Sequence, residues 1–383
     1  MKRLTILLAC AALAACAHVE PAPLPASLFA DDAFAPAAQR PRADDVFAMN
    51  DAMRAYADGE MRQLLRVRGQ QQGLVDALYT RGQLKLEYET ALTRNAAQAF
   101  EARSGNCLSL VIMTAAFAKH FGMPVRYQSV LVEDSWSREG DLYLASSHVN
   151  LSLAKRPADA RVGFDASYLM TIDFLPPEDV RGHRSRDVSE ATIVAMYMNN
   201  RAVESLTRGQ LDEAYWWARE AVLHEPTFLR AVNTLAVIYQ RRGDAGRAER
   251  ALRHVLAAEP DSVHALSNLV RALQAQGRSD EAQLAAARLH TLEPDPPYHF
   301  YHLGRVAIAE ADFTRARDLF AREVRRAPYH HEFQFWLAVA YFGLGDANAA
   351  DRHMRLAMEF SPTRLLQGRY AEKLERLRNA RLQ

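Results

Sequence analysis

The sequence predicts two unlike folds on one chain, an α+β unit followed by an all-α array of helical repeats. Two observations carry this prediction. Pro226, Pro260, Pro294, Pro328 and Pro362 stand 34 residues apart, which marks a repeat of supersecondary size in the C-terminal half. Upstream, Cys107 opens an apolar helical run that is followed by stretches of alternating apolar and polar residues, the pattern of helices and then strands.

Composition narrows the function classes. The chain has 383 residues, enough for two or three domains, and its 49% hydrophobic and 24% charged residues are those of a globular protein. Lys plus Arg is 47 and Asp plus Glu is 46, so no basic excess points to nucleic acid. Three cysteines, Cys10, Cys16 and Cys107, exclude a disulfide scaffold and are too few for a Cys-rich zinc site. An odd count asks what each one does.

The N-terminus accounts for two of them. Met1-Lys2-Arg3 is a basic start, and Leu4 to Ala12 is an apolar run of nine residues, short of the ~20 that a membrane helix needs. Leu13-Ala14-Ala15-Cys16 resembles the bacterial lipobox. The resemblance implies a signal peptide over 1–15, a lipidated Cys16 and firm anchoring through more than one acyl chain. Ala17 after that cysteine implies the outer membrane, facing the periplasm. Pro21, Pro23, Pro25, Pro36 and Pro41 among alanines and acids then read as an extended, poorly packed tether over 16–45.

Residues 46–180 form the α+β unit. Met49, Met53, Tyr56, Met61, Leu64 and Leu65 give an apolar helical stripe within 46–104. Cys107 begins the next helix, which runs through Phe121 until Gly122 and Pro124 turn the chain. Residues 125–132, 142–153 and 161–168 read as three strands. A cysteine at a helix start lies where unpaired N–H groups and the helix dipole favour negative charge on sulfur. Gly105 permits close approach of a substrate. Of the histidines in 46–190, His120 lies 13 residues along the same helix, about 20 Å from Cys107, and His183 sits in a polar connector. His148, inside a strand, remains as the base. Asp165 on the following strand is the orienting carboxylate, with Asp173 in reserve.

Gly105-Asn106-Cys107, the helix end Phe121-Gly122-Met123-Pro124-Val125, the strand with His148 and the Phe164-Asp165 pair resemble the bacterial transglutaminase-like domain, a papain-like cysteine fold. The resemblance spans about 95–175. It implies Cys107 as nucleophile, His148 as general base and then acid, and Asp165 as the group that orients the imidazole. Asn106, Val149-Asn150 and Ala166-Ser167 depart from the residues usual at those places.

After a connector at 181–192 come five repeats over 193–362 and a capping helix over 363–383. Ala214, Ala248, Ala282, Ala316 and Ala350 each precede a proline by 12 residues, and Gly209, Gly243, Gly277, Ala311 and Gly345 stand five earlier again. The glycine belongs at the turn between two helices, the alanine where they cross closely, and the proline beyond the second. This is the tetratricopeptide (TPR) signature. The resemblance implies a concave groove faced by Asn199, Arg230, Asn233, Arg271, Tyr301 and Phe335, suited to an extended peptide or a partner's tail. Leu366, Tyr370, Leu374 and Leu377 make the last helix amphipathic, as a solenoid cap must be. His299, His302, His330 and His331 lack the carboxylate or cysteine set of a metal site, so no metal is expected.

The function expected is an envelope-anchored amide-processing cysteine enzyme, a peptidase or amidase or a transamidating enzyme, with no cofactor. Its partners would be a protein or peptide substrate and an envelope protein in the repeat groove; contact with membrane would be through the lipid anchor only, with no nucleic acid. The alternative is a non-enzymatic TPR adaptor lipoprotein that uses an inactive transglutaminase-like domain as a peptide-binding platform.

Overall fold

The structure, a computed structural model, describes residues 24–37, 40–79, 87–88, 92–139, 142–154, 169–174, 184–361 and 364–381. The chain is mainly helical. Helix α1 (Asp51–Tyr56) is capped by Asn50, whose side chain accepts from the Met53 N–H. It continues through a π turn at Ala57–Met61 into α2 (Arg62–Arg68), which ends at Gly69 with φ 83°. Helix α3 (Gln70–Tyr79) follows, and Gly73 explains the α2–α3 approach: a Cβ there would lie 2.7 Å from the Leu64 carbonyl oxygen. Short strands β1 (Glu87–Tyr88) and β2 (Ser104–Gly105) pair in parallel on either side of α4 (Ala96–Ala102), so the expected all-helical 46–104 is interrupted.

Helix α5 (Cys107–His120) is buried at every position from Cys107 to Ala118. A helix apolar all round is a core helix, and the unit is built around it. A four-stranded antiparallel sheet lies beside it, in the order β5 (Met170–Ile172), β4 (Leu142–Leu153), β3 (Val125–Glu139), β6 (Arg184–Val188). The two long strands agree with the alternation in the sequence. The third expected strand, 161–168, lies outside the described residues. The expected connector at 181–192 is corrected: Arg184–Val188 pairs with β3, and Glu190 is held by the Lys119 ammonium at 2.6 Å and the Tyr127 hydroxyl at 2.9 Å. The free β3 edge needed a partner, and this segment supplies it.

The C-terminal half stacks five antiparallel helix pairs. They are α6 (Glu190–Thr207) with α7 (Leu211–His224), α8 (Leu229–Arg242) with α9 (Ala245–Ala258), α10 (Val263–Ala275) with α11 (Ser279–Leu292), α12 (His299–Ala309) with α13 (Phe313–Arg326), and α14 (His331–Gly343) with α15 (Ala347–Glu359). The final helix α16 (Arg364–Arg381) covers the last pair, burying Tyr370 and Leu374. Each periodic mark has its expected cause. The five alanines are all buried. Gly209, Gly243, Gly277 and Gly345 have φ of 72–88°, and Ala311 adopts the same left-handed turn at 58° despite its Cβ. Before four of the prolines, Glu225, Glu259, Glu293 and Ala327 are extended, with ψ of 78–87°, because proline excludes the helical region from its predecessor.

The tether reading fails for the described part of 24–45. Leu28, Ala30 and Phe34 are buried, and the segment lies against α7 and the C-terminal end of α8. The Phe34 ring stacks on Tyr215 at 4.0 Å and 2°. The Ala30 N–H donates to the Tyr215 hydroxyl, which donates to Asp31 at 2.6 Å, and Trp216 and Tyr239 donate to the carbonyls of Ala35 and Leu28 at 2.7 Å each. Leu28, Ala30 and Phe34 pack here, while Pro25 and Pro36 stay exposed, because the repeats supply both an aromatic surface and the donors that an extended backbone needs.

Candidate functional site

Asn106 caps the Cys107 helix: its side-chain oxygen accepts from the Ser109 N–H at 2.9 Å and the Ser109 hydroxyl at 2.8 Å. Its backbone carbonyl accepts from the Leu110 N–H. The N–H groups of Cys107 and Leu108, in the first turn, have no acceptor within the helix. Gly105 is needed for close packing, since a Cβ there would meet the Ser109 Cβ at 2.6 Å. The cysteine is held at the tip of a rigid element, 9% exposed.

His148 lies on β4 opposite Val130 of β3. Strand alternation puts Val149, Leu151 and Leu153 on one face and His148, Asn150 and Ser152 on the other, and both sets are buried. The Cys107 side chain is within hydrogen-bonding reach of the His148 ring. On the far side, His148 Nε2 meets Asp173 Oδ1 at 2.6 Å, which leaves Nδ1 for the sulfur. The second oxygen of Asp173 accepts from Asn150 Nδ2 at 2.8 Å. Burial pulls the imidazole down, but the Asp173 carboxylate and the Cys107 sulfur outweigh it and raise His148 to about 9. Thiol, imidazole and carboxylate therefore form one connected row.

Cys107 and His148 are brought together as the sequence reading expects. Asp165 lies outside the described residues; the carboxylate on His148 is Asp173, the residue directly after β5. Because Leu151 pairs with Ile172, the last residue of β5, Asp173 after it falls beside Asn150 and reaches both it and His148. Asn150 enters the sequence reading only as a departure from the usual pattern, although a polar residue two places from His148 in a strand shares its face. His120 is far from the thiol and bonds Asp58 at 3.1 Å. His183 and Cys16 lie outside the described residues. Of two glutamines that could donate to an oxyanion, Gln128 gives its amide N–H to Asp187 at 3.3 Å, and Gln98 accepts through its side-chain oxygen from the Asn95 N–H in a capping box.

The six expected groove residues divide. The side chain of Asn233 accepts from Asn268 at 3.0 Å, and Arg271 donates to the Asn268 oxygen at 2.6 Å, a polar row across α8 and α10. Arg230 is exposed, and Asn199 is half-buried. Tyr301 and Phe335 are corrected, because neither is an open surface. Tyr301 is 1% exposed, packed on Phe320 and Phe333, with its hydroxyl on Glu332 at 2.6 Å. Phe335 is stacked against Tyr370 of the capping helix at 5.3 Å. His330 and His331 bond the hydroxyls of Tyr298 and Tyr370 at 2.9 Å each. An open cavity of about 550 Å³ lies where Ala33 and Phe34 meet Tyr239 and the α8–α9 turn, away from Cys107.

Comparison with known proteins bears on the repeats. The family described as "Tetratricopeptide repeat" matches residues 240–299. No curated protein matches the chain. Among solved structures, a thermophilic TPR protein of Thermus thermophilus is 19% identical, with 47% of this chain and 98% of that one covered and a TM-score of 0.30. PilF of Pseudomonas aeruginosa is 21% identical over 49% of this chain and 92% of that one, with a TM-score of 0.29. MamA of Desulfovibrio magneticus is 19% identical over 43% and 94%, with a TM-score of 0.26. The C-terminal region of this chain carries tetratricopeptide repeats.

Proposed function

We propose that this chain is a transglutaminase-like cysteine enzyme that processes amide bonds of a protein or peptide, using Cys107, His148 and Asp173. The observation that carries the reading is the Cys107–His148–Asp173 row, with the sulfur at a helix N-terminus and a 2.6 Å bond between imidazole and carboxylate. In this chemistry the thiol proton passes to His148 and the sulfur attacks the substrate carbonyl carbon, forming a C–S bond. The electron pair displaced onto oxygen is stabilised by the N–H groups of Cys107 and Leu108. His148 gives its proton to the leaving nitrogen as the C–N bond breaks. Water then attacks the thioester, losing a proton to His148, and the sulfur leaves and recovers that proton. An amine in place of water would give transamidation by the same steps. Asp173 keeps the ring oriented, and Asn150 keeps Asp173 in place.

The repeats support binding of a protein partner. The lipobox resemblance supports anchoring of Cys16 in the outer membrane; among the described residues no helix is long and apolar enough to cross a membrane. The second reading, a non-enzymatic adaptor, draws on the low exposure of Cys107. A thiol-reactive activity probe separates the two. Strong labelling of the wild type, none of Cys107→Ala, and a loss of about 100-fold in His148→Ala are expected for the enzyme. Equal, slow labelling of wild type and His148→Ala would establish the adaptor.

A further inference from the structure

Resting on the enzyme reading above, we propose that the first repeat helix is part of the catalytic unit, and that Thr93, clasped by that helix, is a positioning residue for Cys107. Thr93 is 2% exposed and lies 14 residues before the nucleophile in the loop that leads to α4. Its hydroxyl accepts from Asn106 Nδ2 at 2.9 Å, and Asn106 is both the cap of the Cys107 helix and its immediate neighbour in sequence.

An asparagine amide has one acceptor end and one donor end. In Asn106 the oxygen is taken by Ser109, so the nitrogen must find an acceptor elsewhere, and Thr93 is that acceptor. A turn of the Asn106 amide would release the cap. Because Cys107 follows directly, such a change would move the sulfur and its own N–H, the oxyanion donor, together.

What holds Thr93 comes from α6, the first repeat helix. The Thr93 N–H donates to Glu204 Oε1 at 2.7 Å, and Asn200 Nδ2 reaches the Thr93 hydroxyl at 3.2 Å. Asn200 and Glu204 are four residues apart and share a helix face. Arg201 pairs with Glu204 at 3.2 Å and fixes the carboxylate. The chain of contacts runs from Glu204 to Thr93, then Asn106, then Cys107. The repeat array is thus joined to the helix of Cys107 by hydrogen bonds that converge on the buried Thr93, through its N–H and its hydroxyl, from half-buried Glu204, Asn200 and Asn106.

The test uses the full chain, with iodoacetamide alkylation of Cys107 followed by peptide mass spectrometry across pH, alongside thermal melts. Thr93→Val keeps the shape of the side chain and removes the acceptor. It is expected to slow alkylation about ten-fold at neutral pH and to flatten the pH profile, since a misplacement of about 1 Å costs up to about 100-fold. Thr93→Ser, which restores the hydroxyl, is expected to recover both rate and profile. A Thr93→Val rate and profile equal to wild type would overturn the proposal, as would a Thr93→Ser variant as slow as Thr93→Val or losses that follow melting temperature alone. If alkylation depends on His148 but not on Thr93, only the positioning role falls. If His148→Ala alkylates like wild type, the enzyme reading falls and takes this proposal with it.

Discussion

Repeats one to three and repeats four and five have the same helical design but are stabilised in different ways. One continuous hydrophobic core runs from Leu28 and Phe34 through Cys107 and its helix to Tyr215, Tyr239, Leu252 and Ala282. Repeat four packs with Phe333, Leu337 and Ala340 of α14 in a separate cluster around Tyr298, Tyr301 and Phe320, and the rest of repeat five packs with the capping helix around Phe335 and Tyr370. At the boundary, α11 buries only Ala282, while Leu284 is 73% exposed. The loop from Leu292 to His299 is longer than those between the other pairs, and Tyr298 there takes a left-handed φ of 64°. The lesson is that sequence period does not define the packing unit. The front repeats share one hydrophobic core with the cysteine domain, and the rear ones pack in clusters of their own.

The largest test of that contrast removes one buried ring from each side. Phe34→Ala and Phe320→Ala should each cost about 3–5 kcal/mol, since both rings are buried and stacked, Phe34 on Tyr215 and Phe320 on Trp336. Hydrogen exchange should show Phe34→Ala loosening the front repeats together with the Cys107 helix. Phe320→Ala should release the rear repeats while Cys107 labelling stays at the wild-type rate. Loss of Cys107 labelling in Phe320→Ala would mean that a single core spans the chain.

A second test uses opposite responses to pH. Folded His148 is raised from 6.5 to about 9, so its contribution is fully present below 6.5 and is lost as pH climbs towards about 9. In the rear, burial lowers His331, and burial with the neighbouring Arg352 lowers His353. Those groups resist protonation when folded, so their contribution is present above 6.5 and is lost as pH falls below it. Region-resolved hydrogen exchange should show the front weakening in base and the rear in acid. Asp173→Asn should flatten the basic limb alone; an unchanged limb would remove His148 as its source.

The smallest effect concerns one turn. Ala311 holds φ 58° where the other repeats use glycine, a conformation that costs an L residue about 1 kcal/mol or more. Ala311→Gly should stabilise the rear repeats by up to ~1 kcal/mol, less the entropy that glycine adds to the unfolded chain. Differential scanning calorimetry should place the gain in the rear transition only. Destabilisation by this change would show that the turn is not strained.

The sequence by itself determined the repeats, the buried helix led by Cys107, and His148 as its partner. Each of these is written in local signals: a 34-residue period, a capped apolar run, and a histidine in an alternating strand. Only the tertiary structure decided which carboxylate stands beside His148, because that depends on which residue the β4–β5 register brings alongside Asn150. It also decided that residues after Pro25 pack rather than trail, since their partners, Tyr215 and Tyr239, are 185 and 211 residues away from the groups they bond and carry no matching pattern. Tyr301 and Phe335 occupy groove positions by period, yet neighbouring rings cover them. Periodicity assigns a side chain to a face of its helix; what covers that face is set by packing between elements distant in sequence.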